Sequence, residues 1–379
     1  MLLLRNARLY APERQGLKDI LIEGSRVSLV EEDLSFCSSL PGVETVDLEG
    51  RVTVPGYIDI HEHITGGGGE DGPSSRCPEA SLSSILSSGV TTAIGLLGTD
   101  GISRSLENLL LKARALNEEG MTCYMLSGSY AYPPLTLTGS VERDLMLIDL
   151  AVGVKTAASD HRSPGITGCE LIKLGAEAHR GGLLSGKGGV VTVHMGEGKG
   201  MLEPLLYALG HSDLPGSTFL PTHIGRTEAL TKDALRLLGL GSYVDFTAGM
   251  DDEENERAAE RIEILLRNGG EEQVTVSSDA FGSLPRFNGR GECIGLDYSR
   301  PSVIHSLVRK LSEELPLEKV LRFVTVNPAR LYRLRHKGRI APGYDADIVV
   351  YEDMEISSVF AKGRLAVLSG KPVLKGRFE

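Results

Sequence analysis

Two histidines separated by a single residue, His61 and His63, end an apolar segment of the sequence. Side chains two positions apart on a β-strand point to the same face, so both imidazoles could reach one ligand. His-x-His alone is weak evidence for a metal site, because histidines are common on protein surfaces. Its place at the end of an apolar strand favours a metal site.

Three further polar residues, His194, His223 and Asp279, end apolar segments in the same way. Each one alone could be an ordinary residue at a strand rim. Four histidines and one aspartate at matching strand ends instead predict a shared site, and imidazole with carboxylate is typical of zinc or a similar divalent metal. The remaining histidines fall in loops or helices and are interpreted as structural or surface residues: His161, His179, His211, His305 and His336.

A lysine, Lys155, interrupts the apolar segment 152–157. A charged amine is costly to bury. Either the lysine stem lies along a rim and its ammonium group reaches solvent, or the neutral amine has reacted with CO₂ to give a carbamate able to bridge two metal ions. The second interpretation requires loss of a proton, which costs a free lysine at pH 7 about 4.6 kcal/mol. Burial and adjacent dications both favour that loss.

The elements that position these residues follow an alternating pattern. Apolar runs typical of strands occupy 52–61, 90–97, 121–128, 148–159, 190–194, 219–223, 243–247 and 274–279, and helical spacing recurs between them, as in 106–117, 228–238, 255–267 and 302–314. Eight strand–helix repeats predict an α/β fold, a (β/α)₈ TIM barrel, which carries its site at the carboxyl ends of the strands. An open doubly wound sheet is the alternative, but it usually has fewer strands and a phosphate loop after the first.

The two chain ends contain short β-type runs separated by glycine turns, and neither end alone can bury a face. We therefore expect residues 1–54 and 341–379 to form one small β-sandwich domain. Residues 55–340 would then be the metal-dependent barrel, inserted between the two halves.

The composition is that of an ordinary globular protein, with 41% hydrophobic and 24% charged residues in 379. A net charge of −11 and a pI near 5.4 argue against nucleic-acid and anionic-membrane partners. No apolar run approaches the ~20 residues of a membrane span. The five cysteines are scattered without a C-x-x-C pair, a pattern typical of reduced thiols in a cytoplasmic enzyme. They are Cys37, Cys77, Cys123, Cys169 and Cys293.

The candidate metal ligands and Lys155 occur in an order that resembles the binuclear amidohydrolase superfamily, whose members carry a carboxylated lysine. In this chain the order is His61, His63, Lys155, His194, His223 and Asp279. Over essentially its whole length the chain is similar to the bacterial isoaspartyl (β-aspartyl) dipeptidase family. The matching segments are 66–70, 95–100, 159–162, 194–196, 221–223 and 277–279. The first is the most specific, because other amidohydrolases do not share a glycine-rich loop that ends in a residue like Glu70. Where the family has Ser-Ser-Asp-Gly-x-Gly-Ser, this chain has Ala280 and Phe281, which we expect to reshape the pocket wall beside Ser283.

The resemblance implies two Zn²⁺ per subunit and a CO₂-derived carbamate on Lys155. The metal ligands it assigns are His61 and His63 on one ion, His194 and His223 on the other, Lys155 between the two, and Asp279 on the first ion. A hydroxide shared by the ions would be the nucleophile. Asp279 would move a proton from it to the leaving amine, and Tyr130 would donate a hydrogen bond to the developing oxyanion.

The implied substrate is a zwitterionic dipeptide with two carboxylates and one amine. Arg162 and Arg226 would bind the carboxylates, since the arginine fork suits them, and Glu70 would bind the α-amino group. Gly68, Thr99 and Ser283 would add further contacts. Surface arginines and a solvated glutamate are the alternatives, and the sequence leaves open which arginine meets which carboxylate.

Two other functions remain open. A cyclic-amide hydrolase similar to dihydroorotase or hydantoinase would share the metal ligands but has no need of Glu70. A catalytically inactive barrel that serves as an assembly scaffold would usually have lost metal ligands, and here each expected position is filled. The resemblance also implies a homo-oligomer, as large as an octamer.

Overall fold

A computed structural model describes residues 1–288, 290 and 292–379 of the protein. Within that part of the chain the strands form four hydrogen-bonded sheets. In chain order they are β1 Leu2–Tyr10, β2 Arg14–Glu23, β3 Arg26–Glu31, β4 Glu44–Asp47, β5 Val52–Pro55, β6 Tyr57–Glu62, β7 Val90–Gly95, β8 Thr122–Gly128, β9 Ala151–Ala158, β10 Val190–Met195, β11 Phe219–Thr222, β12 Val244–Thr247, β13 Val274–Ser277, β14 Ser283–Phe287, β15 Cys293–Tyr298, β16 Ile348–Glu352, β17 Glu355–Ala361, β18 Arg364–Leu368 and β19 Lys371–Pro372.

The helices lie mostly between strands β6 to β13 and after β15. They are α1 Leu82–Ser87, α2 Leu106–Glu119, α3 Val141–Leu147, α4 Gly168–Ser185, α5 Glu203–Gly210, α6 Glu228–Gly239, α7 Asp252–Leu266, α8 Val303–Ser312, α9 Leu317–Val324 and α10 Val326–Leu331. In the described part of the chain, no helix is both long enough and apolar enough to cross a membrane.

Both chain ends contribute to one nine-stranded sheet, in the order β19-β18-β17-β16-β5-β1-β2-β3 with β4 paired to β1. The sequence predicted a sandwich here, and the strands form a single continuous sheet. Strand β5 joins the two halves, since it pairs with β1 on one side and with β16 on the other. The division of the chain into two domains stays a prediction.

The predicted strand 52–61 is divided between two sheets. Val52–Pro55 belongs to the sheet of the chain ends, and Tyr57–Glu62 begins the parallel sheet. Gly56 stands at the junction, where a Cβ atom would lie 2.2 Å from Oγ1 of Thr91. The change of sheet therefore requires glycine at this position.

Six parallel strands, β6 to β11, form a curled sheet, and β12 and β13 form a separate parallel pair. Nearly every residue of these strands is buried, as expected for parallel strands covered on both faces. Among the described residues no backbone ladder joins β11 to β12, and a single bridge, Glu62 to Ala280, joins β6 to the segment that follows β13. The α/β architecture is as predicted, whereas complete closure of the barrel stays a prediction.

Candidate active site

Three of the predicted metal ligands converge at the carboxyl ends of β6 and β13. Ligand atoms of His61, His63 and Asp279 all lie within 4.8 Å of one another. Oδ1 of Asp279 is 3.1 Å from Nε2 of His63 and 3.3 Å from Nε2 of His61. All three side chains are buried. Strand ends far apart in the sequence thus supply one compact set of donors.

The other two histidines extend this cluster. The ring centroid of His223 lies 5.1 Å from that of His61 and 4.5 Å from that of His194. Both His223 and Asp279 have left-handed backbone conformations, with φ of 64° and 52°. Such conformations are uncommon outside glycine, although His and Asp tolerate them better than most residues. They turn the chain sharply where each strand ends and direct the side chain into the cluster.

Lys155 lies next to His61 and is completely buried. Its Nζ is 3.0 Å from Nε2 of His61. The interpretation in which the ammonium group reaches solvent at a rim is therefore wrong. Burial lowers the pKa of Lys155 to about 7, because the charged form loses its hydration.

His194 has hydrogen-bond partners at both ring nitrogens. Nδ1 is 2.6 Å from the hydroxyl of Tyr130, and Nε2 is 3.0 Å from Oδ2 of Asp160. Nδ1 of His223 is 2.6 Å from Oγ1 of Thr247. These contacts fix the orientations of both imidazoles. A histidine that binds a metal typically keeps one such partner, on the ring nitrogen that does not meet the ion. His223 has this pattern, whereas His194 would have to exchange one of its two partners for the ion.

The donor set fits a divalent cation. Nδ1 of His61, Nδ1 of His63 and Nε2 of His223 are buried and have no hydrogen-bond partner among the described residues, although buried polar atoms are normally paired. Burial lowers the pKa of His194 to about 3, and burial with nearby cations lowers the pKa of His61 and of His223 far below the usual value. Neutral imidazoles offer the lone pairs that a metal ion requires.

The glycine-rich loop after β6 carries Glu70 to the same cavity. Gly66 and Gly68 have φ of 76° and 81°, and a Cβ atom at Gly68 would lie 2.5 Å from the carbonyl oxygen of Ser75. Only glycine fits this path.

Three side chains orient the carboxylate of Glu70. The hydroxyl of Ser283 donates to Oε2 at 2.7 Å, and the hydroxyl of Thr99 donates to Oε1 at 3.1 Å. Nη1 of Arg162 also donates to Oε1, at 3.3 Å. The structure therefore brings four of the six predicted substrate-binding residues together, with Thr99, Arg162 and Ser283 around the carboxylate of Glu70.

Asp160, which we did not predict as a site residue, links both arginines to His194. Arg162 donates to Asp160 through Nε and Nη2, at 3.0 Å each, and Nη1 of Arg226 lies 3.7 Å away. Burial raises the pKa of Asp160, but hydrogen bonds from His194 and Arg162 outweigh it and hold the pKa well below its usual range. Its place directly after β9 was the available sequence signal, since the segment 159–162 matched the family.

Most of these groups, though not His61 or Lys155, border one cavity of about 1090 Å³. Its lining includes His63, Gly68, Glu70, Thr99, Tyr130, Arg162, His194, His223, Arg226, Asp279 and Ser283, and also His161, which we had interpreted as structural or surface. Ala280 and Phe281, expected in the pocket wall, are not in the lining. Both are buried, and the backbone carbonyl of Phe281 accepts a hydrogen bond from the N–H of Gly67.

Comparisons with known proteins agree with this arrangement. The model of the amidohydrolase family matches residues 52–366. The β-aspartyl dipeptidase of Fervidobacterium islandicum AW-1, solved in complex with the β-Asp-Leu dipeptide, is 40% identical, with a TM-score of 0.91 and coverage of 98% of each chain. The dihydropyrimidinase of Brevibacillus agri is 17% identical, with a TM-score of 0.66 and coverage of 99% of this chain and 96% of that one, a similarity of fold alone.

Among curated sequences, the adenine deaminase of Geobacillus kaustophilus is 24% identical over 400 residues, which cover 97% of this chain. The chain spans about 60% of the length of that deaminase.

Proposed function

The chain belongs to the amidohydrolase family, and on that premise we propose that it hydrolyses β-aspartyl (isoaspartyl) dipeptides in the cavity at the strand ends. One observation carries this proposal. The cavity at the buried histidine cluster is lined by one oriented carboxylate, Glu70, and by two arginines, Arg162, which donates to Glu70, and Arg226. A β-aspartyl dipeptide has the complementary charges, one free amine and two carboxylates.

The comparisons favour this substrate over adenine. The 40% identity to the β-aspartyl dipeptidase extends over 98% of both chains, whereas the adenine deaminase shares 24% and is considerably longer. Adenine carries no carboxylate or ammonium group, so it would offer Glu70, Arg162 and Arg226 no charged group to bind. The cyclic-amide substrates of a dihydroorotase-like or hydantoinase-like activity would likewise offer Glu70 no ammonium group to bind.

Six side chains would hold two zinc ions: His61, His63, Lys155, His194, His223 and Asp279. When bound, the ions would polarise the scissile carbonyl and activate a water molecule for attack. Lys155 would contribute as a carbamate, formed when its neutral amine bonds to the carbon of CO₂ and releases a proton. The carbamate is an anion, so it stabilises the two metal ions, whereas a protonated lysine would repel them.

Asp279 would move the proton. Its carboxylate faces the cavity and lies next to His63, where it can take a proton from the attacking water and return it to the leaving amine. The buried hydroxyl of Tyr130 would donate to the oxygen of the scissile carbonyl as negative charge develops there.

Glu70 would bind the α-amino group of the substrate, while Arg162 and Arg226 would bind its two carboxylates. Thr99 and Ser283 hold Glu70 in place, and Gly68 lets the backbone approach the substrate closely. We also propose that the chain forms a homo-oligomer as large as an octamer, which light scattering of the purified protein would test.

Substrate comparison tests the proposed function. The zinc-loaded protein should release aspartate from β-Asp-Leu much faster than from α-Asp-Leu, and it should leave adenine and dihydroorotate intact. Asp279→Asn should abolish turnover, whereas Asp297→Asn, which changes another acid of the same cavity, should not. Faster turnover of adenine or dihydroorotate, or zinc-independent cleavage, would contradict the proposal.

A further inference from the structure

A fully buried carboxylate, Asp245 of β12, joins three neighbouring strands. Its Oδ2 accepts hydrogen bonds from the hydroxyls of Thr222 on β11 and Ser277 on β13, at 2.7 Å each. Its Oδ1 accepts one from the hydroxyl of Thr275 at 2.8 Å. Three hydroxyl donors thus replace the water that the carboxylate loses on burial.

The boundary between strands β11 and β12, the β11–β12 seam, is unusual because side chains hold the two strands together. The part of the chain that the structure describes has no backbone ladder between these strands. Three side-chain contacts cross the seam instead. The hydroxyl of Ser242 donates to the carbonyl of Phe219 at one end, Thr222 donates to Asp245 in the middle, and His223 meets Thr247 at the other end.

The two strands that Asp245 links carry two residues of the active site. Thr222 directly precedes His223, and Ser277 lies two positions before Asp279. A shift of β11 relative to β12 and β13 would change the distance between His223 and Asp279. With no ladder to fix this register, the hydrogen bonds of Asp245 are the central restraint.

We propose that Asp245 is a positioning residue that sets the spacing of His223 and Asp279 for metal binding. It touches neither side chain and acts through Thr222 and Ser277. This inference rests on the proposed function, since it assigns His223 and Asp279 to one metal centre. The loss of such a supporting contact typically weakens metal affinity by about 10- to 100-fold.

Zinc affinity measures this role directly. The metal-free full-length protein would be titrated with zinc against a chromophoric chelator, and thermal midpoints would be recorded for every variant. Asp245→Ala should bind zinc roughly 10- to 100-fold more weakly than the wild type. Asp245→Asn should bind it nearly as well, because its amide oxygen can accept from Thr222 and Ser277 while its NH₂ group donates to Thr275.

Asp19→Ala is the matched control. Asp19 is also a buried carboxylate that accepts several hydrogen bonds, from Asn6, Leu34 and Arg5, but it lies in the sheet of the chain ends. The Asp19→Ala variant should have a lower thermal midpoint than the wild type but the same zinc affinity. Should Asp245→Ala fail to fold, Thr222→Val removes only the bond across the seam and should weaken zinc binding in the same direction.

The outcomes separate the two claims. If the wild type itself binds no zinc, the proposed function fails. If the wild type binds zinc, and Asp245→Ala or Thr222→Val binds it equally well, Asp245 has no positioning role. Equal weakening in Asp19→Ala would show that the effect comes from general destabilisation and would also overturn the inference.

Discussion

The amine of Lys155 lies 3.0 Å from Nε2 of His61, and both side chains are almost completely buried. A lysine amine is among the most costly groups to place in a protein interior. Its contact with His61, a member of the buried histidine cluster, supports a chemical role in the proposed site, because packing alone would be better served by an apolar residue.

Lys155→Ala should lower kcat/KM for β-Asp-Leu by at least about 100-fold, roughly 2.7 kcal/mol, because the metals would lose their bridging anion. Short carboxylic acids such as acetate or propionate should restore part of the rate when added to this variant. Steady-state kinetics with and without the acids measure both effects.

Lys187→Ala is the control for this substitution. Lys187 is a half-buried lysine that donates to the carbonyls of Leu145 and Ile148, away from the cavity. Its replacement should leave kcat/KM unchanged. A loss of less than about tenfold in Lys155→Ala would count against the carbamate.

Glu70→Gln should raise KM for β-Asp-Leu, because the variant keeps the shape of the side chain but loses the charge that binds the amine. Charge-assisted hydrogen bonds contribute about 1.5–3 kcal/mol, so kcat/KM should fall roughly 10- to 150-fold. Succinyl-leucine, which is β-Asp-Leu without its amine, should be cleaved equally by both proteins. Similar losses on both substrates would remove Glu70 from amine recognition, and Glu197→Gln, another acid of the cavity lining, should affect neither.

Tyr130→Phe should lower kcat with little change in KM, since the hydroxyl would act on charge that develops only in the transition state. The loss of one such donor typically costs ~2.7–4 kcal/mol, or about 100- to 1000-fold in rate. The neighbouring Tyr132→Phe, outside the cavity lining, is the control. An increase in KM alone would assign Tyr130 to ground-state binding instead.

Many of the helices and strands could be predicted from the sequence, because the apolar spacings that indicate them, about two residues for a strand and about 3.6 for a helix, are visible within short segments. The predicted helix 106–117 is Leu106–Glu119, and the predicted strand 90–97 is Val90–Gly95. The predicted helix 255–267 corresponds to Asp252–Leu266, which Asp251 caps by accepting a hydrogen bond from the N–H of Glu254.

The partners of the site residues could not be predicted in this way. Thr247 and Asp245 act through contacts between adjacent strands, which depend on register and on the missing ladder between β11 and β12. One hydroxyl or carboxylate on an apolar strand gives no local sign of such a partner. Gly56 similarly acquires its meaning only from the approach of Thr91.

His305 should make stability depend on pH. Its Nδ1 lies 2.8 Å from the hydroxyl of Tyr57, which also meets the hydroxyl of Tyr351, and its Nε2 lies 3.0 Å from the carbonyl of Met354. Burial lowers the pKa of His305 to about 4; the carbonyl of Met354 and the charge of Glu355 oppose this, and that of Arg309 adds to it.

Because the folded-state pKa lies below the unfolded value of about 6.5, stability is complete above pH 6.5 and is lost as the pH falls towards 4. Between pH 7.5 and pH 5 this histidine should cost about 2 kcal/mol. Urea unfolding at both pH values measures the free energy of unfolding. Between the two pH values this free energy should fall by about 2 kcal/mol less in His305→Gln than in the wild type. In His211→Gln, which changes an exposed histidine, it should fall as much as in the wild type. Equal sensitivity in all three proteins would contradict this role.

The central claim is that the buried cluster around Lys155 holds two metal ions. Diffraction from crystals of the zinc-loaded protein, recorded on both sides of the zinc absorption edge, tests it most directly. We predict two anomalous peaks among the imidazoles of His61, His63, His194 and His223, with density for a carboxyl group on Nζ of Lys155. A bare amine with no anomalous peak between the imidazoles would contradict the account.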